Sequence, residues 1–261
     1  MKRLLFVPLL CACVPYQGEL PADYSAPRPI TDGVFAALDP GASQLESLHF
    51  NIRAYGGATA SRVAETAEAA YNRIMTDTGL YSFKPRGLYQ LVIYASAEEY
   101  RRKTGQPSWS GGVSVGNAIY SYEGPHLERI LSHEVTHLIF HEYMGRMKQE
   151  HRWVNEGLAV YQERKAAGAR GGAGLRGPPM TMDQLMHLVP ASEKDNAVSA
   201  WYAQAESMVR FMIERGGRMP FSTFLTALRD DKTFDAAIGE AFTGNWRNLK
   251  DFEASWLRSN P

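Results

Sequence analysis

Leu131–Tyr143 reads LSHEVTHLIFHEY, and the helical repeat gives those letters a chemical meaning. Each residue of an α-helix turns by about 100°, so His133 and His137 stack on one face with Glu134 beside them. Two neutral imidazoles held this way supply half of a tetrahedral zinc site, and the adjacent carboxylate is placed to take a proton from zinc-bound water. Leu127, Ile130, Leu131, Leu138 and Ile139 flank the three residues. They require most of this helix to be covered, so the histidines face an interior cleft. A chain built around such a helix needs at least one further layer to bury it.

Two core histidines and a surface glutamate would be spelled the same way, and a third ligand decides between the readings. A catalytic zinc takes three protein groups and keeps one position open. Eighteen residues separate His137 from Glu156, which lies in Trp153–Tyr161, WVNEGLAVY. Leu158, Ala159 and Tyr161 give that stretch the packing pattern of a helix starting near Trp153, and Glu156 on it is the candidate third ligand. The competing arrangement places a glycine and a third histidine further down the first helix. Phe140 and Tyr143 occupy those two positions here. His141 lies one turn past His137 and is expected to pack or to support the ligands.

HEVTH, a spacer of eighteen and WVNEGLAVY together resemble the zinc site of the gluzincin metallopeptidases. Within that group the likeness is greatest to the aminopeptidase N-like branch and to the compact bacterial proteins called peptidase MA-like, and it spans residues 46 to 258 in element order. It implies one zinc ion held by His133, His137 and Glu156, with Glu134 as general base and a peptide or protein as substrate. It also implies an α+β, zincin-like fold: a small N-terminal mixed sheet and the zinc helices at 46–165, then an all-helical lobe at 180–261. In such folds the strand just before the zinc helix is the sheet edge that holds an extended peptide. The glutamate that captures a free amino terminus in aminopeptidases is missing from Gly111–Ala118, GGVSVGNA, so aminopeptidase specificity is not implied. Tyr202, in WYAQA, matches a tyrosine position of the peptidase MA-like proteins and is a candidate donor to the oxyanion; a plain core tyrosine is the competing reading. His126, His141, Asn155 and Glu163 are the candidates for holding the ligands in place.

Lys+Arg and Asp+Glu are both 28, which gives no electrostatic case for nucleic acid or an anionic membrane surface. The amino terminus is distinctive. Met1-Lys2-Arg3 followed by Leu4–Leu10 has the charged start and short apolar run of an export signal, and Leu10-Cys11-Ala12-Cys13 resembles a lipobox. Residues 1–13 are therefore expected to be a leader, with Cys13 as the lipidated residue. The two cysteines of the chain both lie there, so no disulfide is expected. Residues 14–45, with five prolines and few apolar clusters, read as an extended tether. The expected product is a monomer in the periplasm or anchored to a membrane by its lipid.

Period-two alternation predicts a strand over Leu48–Tyr55, and Gly87–Ala95 reads as a buried strand. Val63, Ala67, Ala70, Tyr71 and Ile74 predict a helix over Thr59–Thr78 stopped by Gly79. Ser96–Glu99 opens a short helix to Lys103 with a capping box. One or two strands are expected over Gly112–Tyr122. Ala166–Pro179, with its glycines and prolines, is a loop without phosphate-binding or dinucleotide signatures. Helices are expected from Thr181 and over Ser199–Glu214, Phe221–Leu228, Phe234–Phe242 and Leu249–Leu257. Two readings compete with a peptidase: a zinc hydrolase acting on another bond, and a non-catalytic zinc-binding surface lipoprotein.

Overall fold

Tyr89–Tyr94 (β3) is buried at every position, which a strand achieves when both faces of its sheet are covered. The computed structural model describes residues 34–259, apart from 170, 173, 176 and 189–194. The expected leader and residues 14–33 of the expected tether lie outside the described residues. Ala42–Glu46 (β1), Phe50–Tyr55 (β2), β3, Gly112–Val115 (β4) and Ala118–Tyr122 (β5) form a five-stranded sheet in the order β1-β2-β3-β5-β4. The three inner strands are parallel and each outer strand is antiparallel to its neighbour.

Alternate residues of the inner strands feed two cores. Ile52, Leu91, Ile93 and Ile119 join the large one, with Gly57–Thr78 (α1) and Leu127–Met144 (α3). Val92, Tyr94, Ala118 and Tyr120 face the other way and meet Tyr100 of Ala97–Thr104 (α2), Phe35 and Leu38. The buried face of α1 is the one its periodicity predicts, and the helix ends at Gly79, whose φ is 70°. A Cβ at that glycine would stand 2.6 Å from the carbonyl oxygen of Arg218, so both conformation and space exclude a side chain there. Ser96 caps α2 by accepting from Glu99 N.

Folded structure starts earlier than the tether expected over 14–45 allows. β1 begins at Ala42, the Tyr94 hydroxyl donates to Ala36 O at 2.8 Å, and the Phe35 ring stands edge-on to Tyr120 at 4.9 Å. Pro40 sits just before the strand, and β1 alternates only between exposed and half-buried residues, so its apolar pattern is faint.

The second half is helical, as expected. Arg152–Ala166 (α4) follows a single 3-10 turn over Gln149–His151, and Met182–His187 (α5) opens with a capping box on Thr181. Asp195–Phe211 (α6), Arg218–Arg229 (α7), Phe234–Ala241 (α8) and Leu249–Ser259 (α9) complete the lobe. The helix expected to run to Glu214 instead widens into a π turn over Met212–Gly216. There a Cβ on Gly216 would lie 2.5 Å from the Phe242 ring. α4 lies between α3 and α6, and that sandwich sets the position of the functional groups.

Candidate metal centre

His133 and His137 leave α3 one turn apart, with ring centroids 4.8 Å apart and planes at 82°. Glu156 comes to them from the first turns of α4. Its Oε2 lies 3.9 Å from His133 Nε2 and 3.6 Å from His137 Nε2, and the three ligand atoms all fall within 4.8 Å of one another. Ligand atoms held 2.0–2.1 Å from a tetrahedral zinc stand about 3.4 Å apart, so the donor set needs only small adjustments to close on such an ion. His137 Nε2 and Glu156 Oε2 are buried and have no hydrogen-bond partner among the described residues. Buried polar atoms are normally satisfied, and a cation at the point of convergence would satisfy both. The residues fit zinc.

The electrostatics point the same way. Burial lifts the Glu156 carboxyl to about 7 against the pull of His133 and Arg152. Burial and the neighbouring His133 press His137 down to about 4, which keeps the imidazole neutral and its lone pair available. Glu134 is fully buried on α3 beside the pair. Glu156 keeps the largest exposure of the four, 8% against 3% for His137 and 0% for the other two.

Both histidines are aimed by their far nitrogens. His137 Nδ1 donates to Asn155 Oδ1 at 3.0 Å, and the same amide donates through Nδ2 to His141 Nε2 at 3.1 Å. His133 Nδ1 meets Glu163 Oε2 at 3.3 Å, and the other oxygen of Glu163 accepts from Arg129 Nη2 at 2.7 Å. Glu163 is held below the usual carboxylate range because these two partners outweigh its burial. An acceptor on Nδ1 fixes the tautomer that presents Nε2 to a metal. Three of the four support candidates from the sequence are therefore in place. His126 is not: it is exposed at the head of α3 and caps nothing with its side chain.

Two arginines went unnoticed in the sequence. Arg129 supports Glu163, and Arg73 on α1 donates to Ser132 Oγ at 2.7 Å and to Gln162 Oε1 at 3.0 Å. Arg73 thereby ties the residue beside His133 to α4. Gln162 in turn donates to the buried Asp77. The signal that would have found Arg129 is its spacing, one turn ahead of His133 on the same helix.

The edge strand differs from expectation. β5 immediately precedes α3 yet lies inside the sheet, between β3 and β4. The edge is β4, one strand earlier, because β5 pairs in parallel with β3 (Ile119 opposite Leu91) and turns back on β4. β4 passes over the centre at Gly112, where a Cβ would stand 3.4 Å from Glu134 Cγ and 2.7 Å from Ile130 Cγ2. Buried serines fix its approach: Ser121 Oγ donates to Gly111 O at 2.8 Å and Ser110 Oγ to Gly112 O at 3.1 Å.

Tyr202 lies on α6, buried with 5% of its surface exposed and edge-on to Trp201 at 5.1 Å. It shares a helix face with Ala205, three residues on, which packs directly on Gly157 of α4.

A mixed sheet, an HExxH helix and a carboxylate brought in from the following helix define a gluzincin-like metallopeptidase domain. A family model of the peptidase MA superfamily matches residues 66–259, and the chain belongs to that superfamily. No curated protein matches it.

Proposed function

We propose that the protein is a zinc-dependent peptidase that hydrolyses peptide bonds with Glu134 as the proton-transfer group. The observation that carries this reading is the convergence of His133, His137 and Glu156 from two helices onto one buried point. Those three residues would hold the ion. When bound, zinc supplies Lewis acidity: it lowers the pKa of water from 15.7 to about 7 and polarises a carbonyl. Glu134 accepts the proton of the attacking water and returns it to the leaving amine. The edge of β4, outermost among the described strands, offers backbone groups to an extended peptide, and Gly112 lets that strand lie close to Glu134. Tyr202, on the side of α6 that packs against α4, is assigned to the oxyanion. Export and a lipid on Cys13 belong to the same proposal and rest on the sequence of the first 13 residues alone.

The test is a peptide-library digest combined with metal analysis of the purified protein, with and without a chelator. Cleavage should require the metal. Glu134→Gln should keep its zinc and lose hydrolysis, and Tyr202→Phe should lower kcat about 100-fold with zinc content unchanged. A parent and a Glu134→Gln variant of equal activity would refute the catalytic assignment, and an unchanged kcat in Tyr202→Phe would leave that ring to the core.

A further inference from the structure

Among the described residues, Arg152 is a cation beside the centre that the proposed chemistry does not use. Arg152 is the first residue of α4, one turn ahead of Glu156, so the two side chains share a helix face. Its Nη1 is buried without a hydrogen-bond partner, and the guanidinium forms no ion pair among the described residues. Its charge still reaches Glu156, where it works against the effect of burial. A guanidinium partly withdrawn from water with nothing to pair with is costly. Glu156 is no remedy, since its Oε2 is turned toward the two histidines. Arg73, Arg129, Arg164, Arg210 and Arg218, on or against these helices, all have carboxylate or side-chain oxygen partners. Arg152 differs from them in that respect, and it lies one helical turn from Glu156.

The geometry points to Arg152 as a specificity residue of this site, taking a carboxylate that the substrate carries close to the bond being cleaved. The inference rests on the peptidase reading and deepens it. A carboxylate suits the position for two reasons. It accepts two parallel hydrogen bonds from the planar fork of a guanidinium. One helical turn also places that fork within about 6 Å of Glu156 at the level of the Cβ atoms, which is the span of one or two peptide residues. The carboxylate has two sources: an Asp or Glu side chain flanking the cleaved bond, or the free carboxyl terminus of a short peptide.

The experiment starts from a peptide that the zinc-loaded parent cleaves in a library digest. Matched versions then exchange Asp or Glu for Asn or Gln on either side of the cleaved bond, and separately exchange the terminal acid for an amide. One of these arms should lower kcat/KM by roughly 10- to 100-fold, the range expected for losing a charge-assisted pair. In Arg152→Gln that preference should vanish, and Arg152→Lys should restore part of it. Melting of the metal-free protein separates this role from a structural one. Removal of an unpaired cation should leave the melting temperature of Arg152→Gln at or above that of the parent, and a clear fall would overturn the proposal. Cleavage with no preference for a carboxylate in any arm would overturn it too while sparing the peptidase reading. A parent that cleaves no peptide would sink both.

Discussion

A Cβ on Gly157 would stand 2.4 Å from the carbonyl oxygen of Ala205, so the helix that carries Glu156 meets α6 backbone to backbone. The position of that carboxylate is thereby set by the distance between two helices, and the glycine is what allows the distance. Gly157→Ala forces α4 and α6 apart or bends one of them. The expected cost is about 1–3 kcal/mol of stability from overpacking, opposed only by the small gain in helix propensity of alanine over glycine. Zinc affinity should drop along with the melting temperature, because the displaced residue is next to Glu156. Thermal melting with zinc titration checks both. A variant with parental melting would show that α6 yields without cost.

Asn155 and Glu163 act on the histidines from behind, and their removal should be felt in metal affinity. Asn155→Ala leaves His137 Nδ1 without the amide oxygen that orients it, and Glu163→Gln weakens the hold on His133. Each should reduce zinc affinity by roughly 10- to 100-fold, measured by competition with a chromophoric chelator. His126→Ala provides the contrast: its side chain is exposed and makes no capping hydrogen bond, so zinc affinity should match that of the parent.

What the sequence discloses here follows from how far apart the interacting residues lie. Two of the three donors and the proposed proton-transfer group are legible because HEVTH compresses them into five positions, and because a helix of fixed pitch converts that spacing into geometry. The core face of α1 and the doubly buried β3 are legible for the same reason. The identity of the edge strand is not, since β4 and β5 are both short, and the parallel pairing of β5 with a strand some 28 residues earlier decides which is outermost. The partners of Arg129 and Arg73 lie 34, 59 and 89 positions away, and no local periodicity records them. The start of the fold is obscured in another way: Pro40 and a half-exposed β1 make a packed segment look like linker.

His151 gives the fold a dependence on pH apart from the metal. It is 1% exposed, and neither ring nitrogen has a hydrogen-bond partner among the described residues. Burial holds its pKa below the ordinary 6.5, Lys148 adds to that, and Glu150 and Asp231 oppose it. Above 6.5 the ring is neutral in folded and unfolded chains alike. As pH falls through 6.5 the unfolded chain takes up a proton that the folded protein refuses, so stability declines across that window. His151→Gln removes the titration. Its melting temperature should fall less steeply than that of the parent between pH 7 and 5, whatever the offset between the two at neutral pH. Parallel curves would mean that acid sensitivity resides in other groups.

Gly112 offers a test of the edge strand that leaves the ligands untouched. Its place in the edge strand β4 is buried and adjacent to Glu134, and a methyl group there would press to 2.7 Å from Ile130 Cγ2 and 3.4 Å from Glu134 Cγ. The contact with Ile130 is too close to be tolerated unless the strand moves outward or the isoleucine changes rotamer. Either response shifts the strand against which the peptide would be held, at the point nearest the proton-transfer group. Gly112→Ala should therefore retain a full equivalent of zinc and lose kcat/KM on peptides, since a displacement of about 1 Å can cost about 100-fold in rate. The paired measurement matters more than either alone. Activity lost together with zinc would assign Gly112 to the packing of α3, and activity kept at the parental level would remove β4 from the path of the substrate.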